Sequence, residues 1–321
     1  VAEPHSLSAR PWLPAAAAFA AVTFWGLSFV ATKVALAELS PVCLIFTRFA
    51  LGVATLHALL ALRREPLAPP RASWPGLALL GFVGVFVHQM IQAHGLVLTT
   101  AVRTGWLIGI IPIWSALLAA ATLGERFGPR GVLGLVLGFG GAVLVVTRGD
   151  FSGGAFALPS TKGDLLIVAS TLNWAIYTVI ARGTVGRIGS GRATAGSMLL
   201  GWAMLAPFFV AEAGWRAWPG LSGPAVGAVL FLGVGCSGLA YLFWYAALTR
   251  WEASRVSAFL YLEPLVTCAA AVPLLGEPLG ATTVAGGVVV LLGVALVQAA
   301  PRAASPEAVV ENEDPRTRDP L

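Results

Sequence analysis

The chain has 321 residues, of which 57% are hydrophobic and 11% charged, with a formal net charge of +5 and a pI near 9.6. An ordinary soluble domain carries roughly 25% charged residues, so this composition excludes a soluble globular protein, whose surface would lack the polar groups to cover it. The basic residues are spread over short loops between apolar runs; membrane orientation produces that distribution, and it argues against a nucleic-acid partner.

Apolar runs long enough to cross a bilayer, about 20 residues each, recur from Leu13 to Ala300 and predict an all-α polytopic membrane protein. Ten spans are expected: Leu13–Leu36, Pro41–Leu62, Pro75–Val97, Ala101–Leu123, Pro129–Thr147, Gly163–Arg182, Thr194–Gly214, Pro224–Leu248, Ala253–Leu275 and Ala281–Ala300. Arg10 and the run behind it resemble a signal peptide, but the run is too long for one and further spans follow at once, so it is read as the first membrane helix. Prolines open several spans, where a missing N–H costs nothing, and Gly124 and Gly276 stand where a helix C-terminus favours φ > 0. Residues 1–12 and 148–162 read as a cytoplasmic segment and an extracytoplasmic linker. Residues 301–321, rich in Pro, Glu, Asp and Arg, are expected to be a disordered tail.

Counting Lys and Arg loop by loop puts both termini in the cytoplasm: the outer loops keep only Arg103, Arg148, Lys162 and Arg216, and the excess of positive charge marks the inside. The expected location is the cytoplasmic (inner) membrane. Cys43, Cys236 and Cys268 lie inside apolar runs with no metal-ligand spacing, so neither a disulfide frame nor a metal site is indicated. No P-loop or HExxH occurs, and the only acid well inside an expected span is Glu263. No cofactor is therefore expected, and the chain is not read as an enzyme.

The chain contains one stretch twice. Pro112 and Pro264, Arg103 and Arg255, Gly124 and Gly276, Glu125 and Glu277, Gly134 and Gly286, and Gly141 and Gly293 are each 152 positions apart, with no gap. Such self-similarity means that one structural unit was used twice. Earlier positions match less closely: Trp25 and Trp174, like Lys33 and Arg182, are 149 apart. Five spans per half is an odd number, so the halves 13–147 and 163–300 are expected to insert in opposite senses, as inverted repeats around a midplane cavity.

The segment Phe24-Trp25-Gly26-Leu27-Ser28-Phe29 with Lys33, Arg48-Phe49, the Pro112 to Glu125 block and Leu262-Glu263-Pro264 with Leu275-Gly276-Glu277-Pro278 resemble the EamA-type branch of the drug/metabolite transporter superfamily. The resemblance covers nearly everything from Phe24 to Ala299. It implies ten helices as two inverted five-helix repeats around a central cavity, and export or exchange of small metabolites, without naming a substrate.

Charges in hydrocarbon cost roughly 2.5–3.5 kcal/mol at mid-helix, so Arg48 and Glu263 need reasons. Their expected depths differ by only about 5 Å, close enough to meet, either as a clamp for a substrate carboxylate or amine, as a proton-responsive pair, or as an ion pair that fixes packing. Neither has a charged equivalent in the other half, and an asymmetric position suits a substrate that is not itself symmetric. His88, Gln89 and Gln92 fall within one helical arc, and the 152 offset carries Gln89 onto Tyr241 and Gln92 onto Trp244. These are expected as opposite cavity walls, polar and aromatic; the alternative is that the glutamines only join helices. His88 is either a proton carrier or a packing residue.

Trp25, Trp174 and Tyr177 are candidates for the cavity rim or for an interfacial belt. Lys33, Arg103 and Arg182 sit at helix ends and are expected to snorkel. Glu125 and Glu277 are read as scaffold that caps the helix following each. Pro112 and Pro264, near the middles of the fourth and ninth spans, are expected to kink them and are candidate gates. The function expected is a secondary transporter that exports a small metabolite, an amino acid, an amine or a related compound, by alternating access, with uptake or exchange of a metabolite or drug by the same fold as the alternative; a small molecule and the bilayer are the partners and protons a candidate driver. Of the competing readings, an intramembrane enzyme would need acidic pairs, HExxH or a Ser with a base inside the spans, where Glu263 is the only acid well inside, and a receptor or structural protein leaves the duplication without a purpose.

Overall fold

A computed structural model describes residues 12–123, 127–152, 154, 158–248, 250–251, 256 and 258–299. Among them the chain is helical throughout, and nine helices are long and apolar enough to cross a membrane. In chain order these are α1 (Leu13–Leu36), α2 (Pro41–Leu62), α3 (Arg71–Leu98), α4 (Ala101–Thr122), α5 (Pro129–Thr147), α6 (Pro159–Ile188), α7 (Ser190–Ala211), α8 (Gly223–Trp244) and α10 (Ala281–Ala299); α9 (Phe259–Leu275) is a shorter apolar helix. The chain is a polytopic membrane protein.

Several helices run past the expected spans. The sixth begins at Pro159 and continues to Ile188, and the third begins at Arg71. Hydropathy stops at Lys162 and Arg182, but the backbone ladder does not, because a charged residue at a helix end can stay helical. The expected start of the ninth, Ala253, lies outside the described residues; Val256 is helical, and the described run of this helix is Phe259–Leu275. Helix ends carry the caps their sequences offer: Ser40, Thr100 and Ser222 side chains accept from the backbone N–H of Cys43, Arg103 and Ala225, a standard use of short hydroxyl side chains. Gly276 closes α9 at φ +64°, the left-handed turn expected of it. Gly124 and Glu125 lie outside the described residues, as do Arg126, Arg255 and the segments 1–11 and 300–321.

Each proline follows directly on an irregular turn of its helix. α4 is helical over Ala101–Ile108, turns at Gly109 and Ile110, and resumes at Ile111–Leu123. α9 opens with a 3-10 turn, Ala258–Leu262, and becomes α-helical at Glu263–Leu275. Pro112 and Pro264 therefore stand second in a fresh helical segment, where the missing N–H is no loss. α3 and α8 each contain a π-helical stretch, Gly81–Val87 and Phe231–Leu239, which no sequence signal announced. Such widened turns recur at functional sites.

The halves interdigitate, and each pairing recurs with the halves exchanged: α2 on α8 and α7 on α3, α1 on α8 and α6 on α3, α1 on α9 and α6 on α4. α5 and α10 pack on each other. There a Cβ on Gly134 would lie 2.6 Å from the Gly293 carbonyl oxygen, and one on Gly141 would lie 2.6 Å from the Gly286 oxygen. The backbones thus touch, as small-residue stripes permit in lipid, and the two helices cross antiparallel. The largest buried cluster, built around Trp106, Leu107, Ile113, Val145 and Val290, lies beside this crossing.

Candidate functional site

The π-helical stretch of α3 ends directly before His88 and Gln89, and that of α8 directly before Ala240 and Tyr241. Within the π-turn the Val83 carbonyl accepts from the His88 backbone N–H and, from α6, also from the Asn173 side-chain amide at 2.8 Å. The same helices enclose a small cavity whose walls include Phe49 of α2, Gln89 of α3, Trp174 and Tyr177 of α6, Met198 of α7 and Tyr241 of α8. Its volume is about 20 Å³, room for a water molecule and not for a metabolite.

The expected residues distribute as follows. Gln89 and Tyr241 both line the cavity, as do Trp174 and Tyr177. Trp174 packs on the His88 ring and on Tyr177, with 5.0 Å between centroids in each case. Trp25 makes an edge contact with Tyr241 at 5.7 Å and a tilted one with Trp244 at 5.2 Å, so these three form one aromatic cluster. Gln92 is half-buried one turn beyond Gln89 on α3 and is not among the cavity walls. His88 is buried, and its Nδ1 donates to the Ser170 carbonyl at 3.1 Å, which ties α3 to α6. A larger groove, about 450 Å³, lies between the start of α1 and the end of α8; among the described residues its walls are apolar except for Arg250.

Arg48 and Glu263 do not pair: among the described residues the ion pair within 4.0 Å is Arg103–Asp164. Arg48 is 8% exposed, and its Nη1 and Nη2 reach Gln89 Oε1 at 3.5 Å and Ser237 Oγ at 3.4 Å, while its Nε has no partner among the described residues. Glu263 is equally buried and opens the α-helical segment of α9, where a negative charge suits the helix N-terminus.

A second group of charges, Lys33, Arg103, Asp164 and Glu277, gathers at the end of the bundle where α1, α3 and α9 finish and α4, α6 and α10 begin. Lys33 does not snorkel: its Nζ donates to the carbonyls of Leu96 and Thr99 at 2.9 and 2.8 Å, closing the C-terminus of α3. Arg103 does not snorkel either, since it is buried, pairs with Asp164 and donates to the Val145 and Val146 carbonyls. Asp164 also accepts from the Thr99 hydroxyl. Sequence reasoning passed over this second acid inside a span because it stands one residue into the expected sixth span. Glu277 caps a helix, but not the one that follows it: its two carboxylate oxygens accept from Ala101 N and Val102 N of α4, each at 2.8 Å. The Arg182 side chain lies outside the described residues. Among the described residues no group of three His, Cys, Asp or Glu side chains is placed to hold a metal, and the three cysteines are free and buried.

A model of the EamA-like transporter family matches this chain twice, over residues 12–147 and 161–299. An uncharacterized transporter of Archaeoglobus fulgidus is 32% identical over 275 residues, covering 86% of this chain and 93% of that protein. The aromatic amino acid exporter YddG of Ancylobacter novellus is 26% identical over 280 residues, covering 85% and 92%. A solved crystal structure, at 23% identity, shares the fold with a TM-score of 0.64 and covers 89% of this chain and 98% of its own.

Proposed function

The chain belongs to the EamA-like transporter family, and on that premise we propose that it is a secondary transporter that exports a small metabolite, an amino acid, an amine or a related compound, across the cytoplasmic membrane. It works by alternating access, with two inverted five-helix repeats, 13–147 and 163–300, rocking about a midplane site. The termini are cytoplasmic, and the charged cluster around Lys33, Arg103 and Glu277 closes the outer face. The observation that carries this reading is that Gln89 and Tyr241, 152 positions apart and so equivalent in the two halves, line one cavity. The antiparallel crossing of the equivalent helices α5 and α10 supports the inversion. A relative named as an amino acid exporter supports the substrate class.

In this reading Gln89, with Gln92 and His88 behind it, forms the polar wall, and Tyr241, Trp244, Trp25, Trp174 and Tyr177 form the aromatic one. The irregular turns before Pro112 and Pro264 serve as hinges, since a helix with a non-α turn at mid-membrane has fewer regular backbone bonds to lose on bending. The test is flux in vesicles: Gln89→Ala and Trp244→Ala each lower exchange of the transported amino acid while leaving protein levels unchanged. Undiminished flux in both variants removes the cavity from the mechanism.

A further inference from the structure

We propose that Arg48 reads the carboxylate of the transported molecule, so that this chain selects small carboxylates bearing an aromatic or apolar group over the corresponding amines and amides. The inference rests on the cavity reading above and adds to it the chemistry that the site selects. A guanidinium carries five N–H donors. Arg48 uses two of them, on Gln89 and Ser237, at 3.5 and 3.4 Å, the long limit of a hydrogen bond. Its buried Nε has no partner among the described residues, and no carboxylate there stands within 4.0 Å.

Arg103 shows how this protein treats an arginine that serves packing. Its Nε is also without a partner, but Asp164 matches its charge and two backbone carbonyls accept from Nη2. Arg48 is as deeply buried without any such match. Besides its two long hydrogen bonds it has, among the described residues, only the face of the Phe49 ring, 5.1 Å from the guanidinium carbon; a buried cation without a matching anion is costly to keep, and a planar fork whose Nε is unpartnered there is suited to a carboxylate held side-on. Its Nη1 partner, Gln89, is a cavity wall, and so is the adjacent Phe49. Trp174, Tyr177 and Tyr241 make the rest of that space aromatic, which suits a flat apolar group. The ligand enters as these walls separate, since the closed cavity admits only water.

The experiment reconstitutes the full chain in vesicles and uses four probes that share a phenylethyl group: L-phenylalanine and 3-phenylpropionate, which carry the carboxylate, and phenethylamine and phenylalaninamide, which do not. Binding is read by thermal stabilisation and transport by exchange. Wild type is expected to bind and exchange the two carboxylates at least about 10-fold better than the other two, Arg48→Gln to lose about 10- to 100-fold on the carboxylates alone, and Arg48→Lys to recover part of it. A wild type that treats all four alike or takes none, or an Arg48→Gln variant that keeps the preference, overturns the assignment. Should Arg48→Gln fail to fold, the wild-type preference and the Arg48→Lys variant decide. Trp174→Ala and Tyr241→Ala separate the two readings. If they leave exchange intact, the cavity reading fails; if they abolish it while wild type ignores the carboxylate, only the role of Arg48 fails.

Discussion

Replacing Glu277 by alanine tests whether a side chain from the second half holds a helix of the first. The carboxylate is 9% exposed and accepts two backbone N–H groups at 2.8 Å, those of Ala101 and Val102. These are orphan donors of the first turn of α4, which no helix can satisfy from within. A hydrogen bond to a charged acceptor is worth about 1.5–3 kcal/mol, and a buried donor left without one costs a comparable amount. Losing both oxygens is therefore expected to cost about 3–5 kcal/mol. Lys33, within electrostatic reach of Glu277, loses a counter-charge as well. Glu277→Gln keeps one acceptor and presents an NH2 group to the other donor, so it should cost about half as much. At about 2 °C per kcal/mol for a chain of this size, the apparent Tm in detergent should fall by roughly 6–10 °C for Glu277→Ala. A fall of less than about 2 °C, or equal falls for the two variants, would refute the cap, as would strict additivity with Lys33→Met.

The Arg103–Asp164 pair is buried on both sides, so Asp164→Asn should destabilise by about 3–5 kcal/mol, and joining it to Arg103→Met should cost less than Asp164→Asn alone; thermal unfolding of the three variants decides. If Glu263 couples transport to protons, Glu263→Gln abolishes the response of exchange to an imposed pH gradient, and a variant still driven by that gradient ends this role. At the same end of the bundle, the Ser222 hydroxyl and backbone N–H hold the Glu38 carboxyl below its ordinary value of 4.5. A lowered folded value means that the contact stabilises above the ordinary value and is lost as pH falls through the lowered one. Wild type should thus lose a small increment of thermal stability below pH about 4.5 that Glu38→Gln lacks at every pH.

Much of the architecture was legible because its signals are local or periodic. α1 and α2 keep the expected bounds, Gly276 takes the left-handed turn, and the offset of 152 joins Gln89 to Tyr241 in one cavity. The misjudged residues are the polar ones whose partners lie on other helices. Hydropathy sees Lys33 and Arg103 only as charges near helix ends, which suggests snorkelling, and cannot see that Thr99 and Asp164 stand beside them. The place of each proline within an apolar run is visible in the sequence, whereas the turn of irregular helix just before each is not.

Sequence alone determined that this chain lives in a bilayer, that it uses one unit twice, and where most of its helices begin and end. Each of these follows from residue type and spacing along the chain. Tertiary structure alone decided which charges are compensated: Asp164 for Arg103, the first turn of α4 for Glu277, and for Arg48 no carboxylate within 4.0 Å among the described residues. The physical reason is that a partner in low dielectric is set by which helix faces meet, and residues separated by 61 or 176 positions share no local pattern from which that meeting can be read.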